Sequence, residues 1–321
     1  MKINIKKRID ITTLAPILFL LLLVVIYSIF AKNFLSGPNI LNILRQVSIT
    51  GIMAIGVTLV ILLGEIDLSI GTVMAFCGMM AGGLSTGKYF GLPALPVGVA
   101  ILITLLIGAV IGLISGIACA KLRIPGFMAT LAMEYVCSGL MLMITKAKPI
   151  SSLPSSLVYW GSGYLFGIPV IIYVFIFVFV LTALLLKYSI FGRNLYAIGG
   201  SLEASRMSGI NVIRNKVLAF VICSVLCALA GILMDGRIGS AQVTAGDSLQ
   251  MTPIAAAVLG GTSLAGGKGT MAGTFLGVLI MGVLVNGLNL MGVGSDVQKL
   301  VTGIVLFIAV TFNIWSSKKS R

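Results

Sequence analysis

The chain has 321 residues, 59% hydrophobic and only 9% charged, with a net charge of +14 and no His. Soluble domains carry roughly a quarter charged residues, so this composition cannot cover a water-soluble globule. The missing His also removes the commonest residue of metal and neutral-pH base chemistry. The composition therefore speaks against a metalloenzyme or a triad hydrolase, and the chain reads as an all-α integral membrane protein. The expected architecture is a polytopic bundle of about ten transmembrane helices, with short or broken helices near 64–72 and 260–270.

Taken in chain order, a basic N-terminal tail at 1–13 holds Lys2, Lys6, Lys7 and Arg8. No A-x-A-like cleavage site follows the first apolar run, so that run reads as an uncleaved anchor. At about 20 apolar residues per crossing, spans are expected near 14–31, 47–64, 68–86, 96–120, 126–145, 168–187, 217–236, 252–264, 271–291 and 298–315. The eighth is short and could re-enter instead of crossing. The 22 Lys and Arg residues cluster between apolar runs rather than on one face, which speaks for topology and against a nucleic-acid partner. Most of them share the side of the N-terminus if that end is cytoplasmic, an arrangement that also puts the tail at 316–321 inside. No linker divides the chain, so 1–321 is read as a single transmembrane domain.

Five cysteines, Cys77, Cys119, Cys137, Cys223 and Cys227, fall inside apolar runs without metal-ligand spacing and read as small buried hydrophobes. Gly108, Gly112 and Gly116, with Gly78/Gly82 and Gly273/Gly277, have the small-residue spacing of close helix crossings. Three longer connections stand out. The segment 188–216 is expected to be cytoplasmic, with a helix-prone core from Ser201 to Met207, while 146–167 and 237–251 would face the other side.

Two stretches interrupt the apolar pattern. In LLGEIDLSIGT, Leu62 to Thr72, the carboxylates Glu65 and Asp67 would be costly in hydrocarbon, so a turn, an interface or a lined cavity is expected. Asp67 could cap the third helix or contact a solute. In LGGTSLAGGKGTMAG, Leu259 to Gly273, the glycines and Lys268 invite comparison with a phosphate loop. The match fails, because Thr262 stands where Gly is needed and Gly269 where Ser or Thr is needed. Both stretches join an apolar helix to a Gly-spaced one, the kind of paired interruption that points to a transport pathway. Glu134, a lone carboxylate in the fifth span, suits either a proton-coupled carrier or an ion pair with Lys121 or Arg123. No catalytic or metal constellation is visible.

Together these residues resemble a known family. From about Asn39 to Trp315 the chain is similar to the membrane subunits of monosaccharide ATP-binding-cassette importers, the ribose, xylose and galactose permease group, and to its ribose branch above all. The resemblance rests on NILRQVSITGIMAIGVTLVIL, on IDLSIG at Ile66 to Gly71, on FGRNLYAIGGSLEASRMSGINV at Phe191 to Val212, and on AAVLGGTSLAGGKGT at Ala256 to Thr270. It implies a pathway-forming permease in a bacterial inner membrane, without enzymatic activity or a cofactor of its own. The implied partners are a second permease chain as homodimer, a separate cytoplasmic ATPase that binds ATP and Mg, and a periplasmic or lipid-anchored sugar-binding protein.

The resemblance also makes Arg193, Glu203, Ala204, Arg206 and Gly209 the ATPase-coupling loop. Asp67, Ser69 and Gly71 match the family pattern and become pathway or gate candidates, joined by Gly260, Gly261, Thr262 and Ser263 from the paired interruption. The loop departs from the fuller EAA-type loop of other importer classes, and Glu65 stands where many relatives carry Gly or another small residue. An ion- or proton-coupled secondary transporter, motivated by Glu65, Asp67 and Glu134, is the alternative.

Overall fold

A computed structural model describes residues 11–88, 91, 93–247 and 249–319, without the side chains at 11–15 and 312–319. Lys2, Lys6, Lys7 and Arg8 of the expected N-terminal tail, and Arg321 at the other end, lie outside the described residues. The described part is almost entirely helical. The helices are α1 (Ile11–Phe30), α2 (Gly37–Leu62), α3 (Ile70–Thr86), α4 (Val97–Ala120), α5 (Gly126–Thr145), α6 (Ser155–Ser162) and α7 (Val170–Tyr188). After these come α8 (Ile190–Gly200), α9 (Leu202–Met207), α10 (Val212–Ile238), α11 (Thr252–Leu259), α12 (Met271–Leu290) and α13 (Ser295–Lys319).

Each of the ten expected spans overlaps one of these helices, but among the described residues six are long and apolar enough to cross a membrane: α2, α4, α5, α7, α10 and α12. The stretches Pro16–Phe30 and Ile70–Thr86 are apolar but shorter. The eighth expected span is a helix of only 8 residues, about 12 Å at 1.5 Å per residue, and cannot cross as helix alone. The 146–167 connection, expected as a loop, contains α6 and short strands. Of these, β1 (Ile150–Ser151) pairs antiparallel with β4 (Ser240–Ala241), and β2 (Tyr164–Leu165) pairs with β3 (Ile168–Pro169).

The core forms around α2, which packs on α7, α10, α11 and α12 and buries nearly every residue from Val47 to Leu62. The second hub is α10, packed along α3, α4 and α6 as well. Gly108, Gly112 and Gly116 form a stripe on α4 that lies directly against the α10 backbone at Val217, Phe220, Val221 and Ser224, the use their spacing predicted. By contrast, α5 leaves Phe127, Met128, Leu131, Tyr135, Val136 and Met143 exposed.

Helix α2 begins ten residues before the expected span, with Pro38 in its first turn, where a missing N–H costs nothing. The early turns are polar, yet their groups find tertiary partners. Asn39 and Asn286 of α12 exchange two amide hydrogen bonds, each 3.0 Å long. Higher on the helix the Thr58 and Thr274 hydroxyls lie 2.9 Å apart. In a low-dielectric interior such satisfied pairs fix how two helices register. The five cysteines are all free and buried.

Candidate functional site

The site is the place where the two interruptions meet. Helix α2 stops at Leu62, and the chain runs through a turn and an extended stretch, 65–69, before α3 starts. Helix α11 stops at Leu259, and residues 260–270 loop back to start α12. The Gly267 amide donates to the Leu62 carbonyl at 2.9 Å, so one break satisfies a carbonyl that the end of α2 would otherwise leave open. Gly266 and Gly267 have φ of +85° and +71°, a left-handed conformation that Gly adopts without a Cβ penalty. Within the loop the Ser263 amide donates to the Lys268 carbonyl, and the Gly266 amide to the Ser263 carbonyl.

The pathway candidates fall on this junction and just beside it. Asp67 and Ser69 are each 1% exposed. The Asp67 Oδ1 accepts the Ser69 amide at 2.9 Å and the Ser69 hydroxyl at 2.6 Å. Asp67 thus organises the turn into α3, while Ser69 occupies the cap position without a side-chain cap bond. The other oxygen, Oδ2, is buried and has no hydrogen-bond partner among the described residues. Gly71 meets Gly246 and Gln250 backbone to backbone, which brings the 239–251 segment down onto the first turn of α3. Gly260 lies equally close to Gly273, at the mouth of the second break. Gly261 is exposed, and Thr262 and Ser263 are buried.

Helices α8 and α9 sit at this same end. Ser189 caps α8 and Ser201 caps α9, their hydroxyls accepting the Gly192 and Ala204 amides, and Asn211 caps α10 through the Arg214 amide. This succession of caps turns a hydrophilic stretch into three helices, of which the middle one was legible as a helix-prone core. The inner face of α8 rests on the junction. Gly199 is wedged against the Leu62 carbonyl and the Gly267 amide, and the Tyr196 hydroxyl donates to the Gly269 carbonyl at 2.9 Å. Burial pushes the Tyr196 phenol above its ordinary value, so it remains a donor. The outer face carries Arg193, Glu203, Ala204, Arg206 and Gly209, all exposed.

Sequence reasoning missed two partners here, Tyr196 and Lys216. Lys216 reaches across to Glu65 with Nζ 2.5 Å from Oε1, and the other carboxylate oxygen of Glu65 accepts the Gly126 amide at 2.9 Å. Nothing local in the sequence couples positions so far apart. The ion pair envisaged for Glu134 does not form with Lys121 or Arg123, and its Oε2 is buried without a hydrogen-bond partner among the described residues. Among the described residues no group of three or more His, Cys, Asp or Glu could hold a metal.

Long apolar helices interrupted at a shared junction, beneath an exposed helical pair, fit a polytopic membrane permease. Residues 39–310 match the family described as branched-chain amino acid transport system / permease component. The ribose import permease protein of Bacillus subtilis (strain 168) is 46% identical over 299 residues, covering 92% of this chain and 91% of the relative. That of Escherichia coli (strain K12) is 41% identical over 295 residues, covering 91% and 90%. The xylose transport system permease protein of Haemophilus influenzae is 31% identical over 347 residues, covering 89% and 91%. No solved structure matches the chain. The chain belongs to the branched-chain amino acid transport system permease family, and is a permease subunit rather than an enzyme.

Proposed function

We propose that this chain forms the translocation pathway of an ATP-binding-cassette importer for a monosaccharide, ribose or a related sugar. The observation that carries the reading is the seating of α8 on both helix breaks, with an exposed face on α9 left for a driving partner. The sugar follows from the relatives, named for ribose and xylose import. In this reading the chain is one membrane domain that crosses a bacterial inner membrane about ten times. The broken α11 segment completes a crossing together with the loop at 260–270. Both termini are cytoplasmic, and the 188–216 segment meets a separate ATPase that holds ATP and Mg.

Two copies form a homodimer, and an extracytoplasmic binding protein delivers the sugar to the opposite end. Arg193, Glu203, Ala204, Arg206 and Gly209 contact the ATPase. Asp67, Ser69, Gly71, Gly260, Gly261, Thr262 and Ser263 shape the gate. The secondary-transporter alternative is weakened at Glu65, whose charge is matched by Lys216 and so is not free to bind a coupling ion.

The test is to purify the tagged chain with its partners, identify the binding protein, and titrate that protein with pentoses and hexoses. Ribose or another pentose should bind tightly, and uptake into vesicles should require both the ATPase and the loaded binding protein. Binding of an amino acid alone, or uptake by the isolated chain under an ion gradient, would overturn the reading.

A further inference from the structure

Glu65 lies in the first interruption but is not one of the pathway or gate candidates, and both of its carboxylate oxygens are held. Its Oε1 pairs with Lys216 Nζ, its Oε2 takes the Gly126 amide, and the two charged side chains are only 12% and 17% exposed. One carboxylate therefore joins three elements: the break after α2, the first residue of α5 and the second turn of α10. Thr130 adds a neighbouring tie, accepting the Leu68 amide at 3.0 Å and donating to the Gly126 carbonyl at 2.8 Å. Lys216 stands only five residues beyond Asn211, the residue that caps α10. Between α9 and α10 the chain turns tightly, the Ile210 amide donating to the Ser205 carbonyl.

A displacement of α9 thus reaches Lys216 with little slack. We propose that the Glu65–Lys216 pair is the strut that carries motion from the α8–α9 face to the break at 63–69, making these two residues positioning residues for coupled transport. The second break already has its own tie, from Tyr196 to Gly269; the pair gives the first break an equivalent one. A charge pair this shielded from water resists separation, and removing one partner strands the other in a poor solvent. The two breaks consequently respond together when the helical pair moves. The inference rests on the proposed function, because a strut matters only if something drives that face.

The test uses the complete importer in vesicles, with solute uptake and ATP hydrolysis measured on the same preparation. Glu65→Gln and Lys216→Met should each lower the solute carried per ATP by roughly threefold or more, the range seen for residues along coupling routes. Lys216→Arg, which keeps the charge, should stay near the unsubstituted ratio. The doubly neutral variant should be no worse than the poorer single one, since the pair acts as a unit. A purely structural role would lower yield and melting temperature and leave the ratio unchanged, and that result overturns the strut. If Glu65→Gln fails to accumulate, the Lys216→Arg and Lys216→Met comparison decides alone. An unsubstituted importer that hydrolyses ATP without moving any sugar overturns the functional reading itself, and the strut with it.

Discussion

Gly199→Ala is the smallest change that tests whether the two helix breaks and α8 form one unit. A methyl group there would fall inside contact distance of both the Leu62 carbonyl and the Gly267 amide, the two groups that hydrogen-bond to each other across the breaks. Either α8 lifts or the bond parts. Overpacking of this kind costs about 1–3 kcal/mol, and a lost backbone hydrogen bond adds about 1 kcal/mol. Alanine in a helix gains about 1 kcal/mol over glycine, so the proper control is Gly200→Ala, one residue on, where a Cβ meets nothing within 4 Å. The difference between the two variants removes the propensity gain and should be about 1–3 kcal/mol against Gly199→Ala, rising to about 4 kcal/mol where the bond also parts. The assay is thermal unfolding of the detergent-purified chain, paired with ATP-dependent uptake in vesicles. Equal melting temperatures and equal uptake for the two variants would refute the junction as a packed unit.

The reciprocal amide pair between α2 and α12 should behave as a coupled pair. Asn39→Ala leaves Asn286 buried with an unmet amide, a loss of about 1–3 kcal/mol, whereas the double alanine variant should lose less than the sum of the singles, read by a thermal-unfolding double-mutant cycle. On the exposed face, Glu203→Arg should weaken co-purification of the ATPase and abolish uptake while the chain inserts normally. Gly209→Pro should do the same, because φ is +77° there and Pro holds φ near −65°. Retention of both association and uptake would remove the α8–α9 pair from the coupling role.

What the sequence made legible was the part governed by local apolarity. Helices α4, α7 and α12 lie within a few residues of where their apolar runs put them, because lipid requires long runs with every backbone group paired inside the helix. The glycine stripe on α4 was equally plain, since a four-residue spacing fixes one helix face. The start of α2 was not. Asn39, Asn42, Arg45 and Gln46 fall before the expected span near 47–64, because a run of polar groups breaks the apolar pattern, whereas Asn39 is satisfied by Asn286 and Arg45 lies over the Tyr164 ring. Asp67 was expected at a turn, an interface or a lined cavity, with capping as one role; its bonds go to Ser69, before the helix start, rather than to the first helical amides. Lys216 could not be found from the sequence, because its partner is distant in the chain and every nearby basic residue was an equal candidate.

The two interruptions were noticed for a shared shape, and the geometry gives that likeness a physical basis. A helix that ends inside a bundle exposes carbonyls, and a loop that starts one exposes amides. Bringing the end of α2 against the loop before α12 cancels one deficit with the other, through the Gly267 to Leu62 bond. Moving either break alone would part this bond, which joins buried Leu62 to half-buried Gly267. The exposed helical pair is attached to that joint in two places, by Tyr196 at Gly269 and by way of Lys216 at Glu65. In the proposed coupling, a push on the pair is felt at both breaks through these two ties.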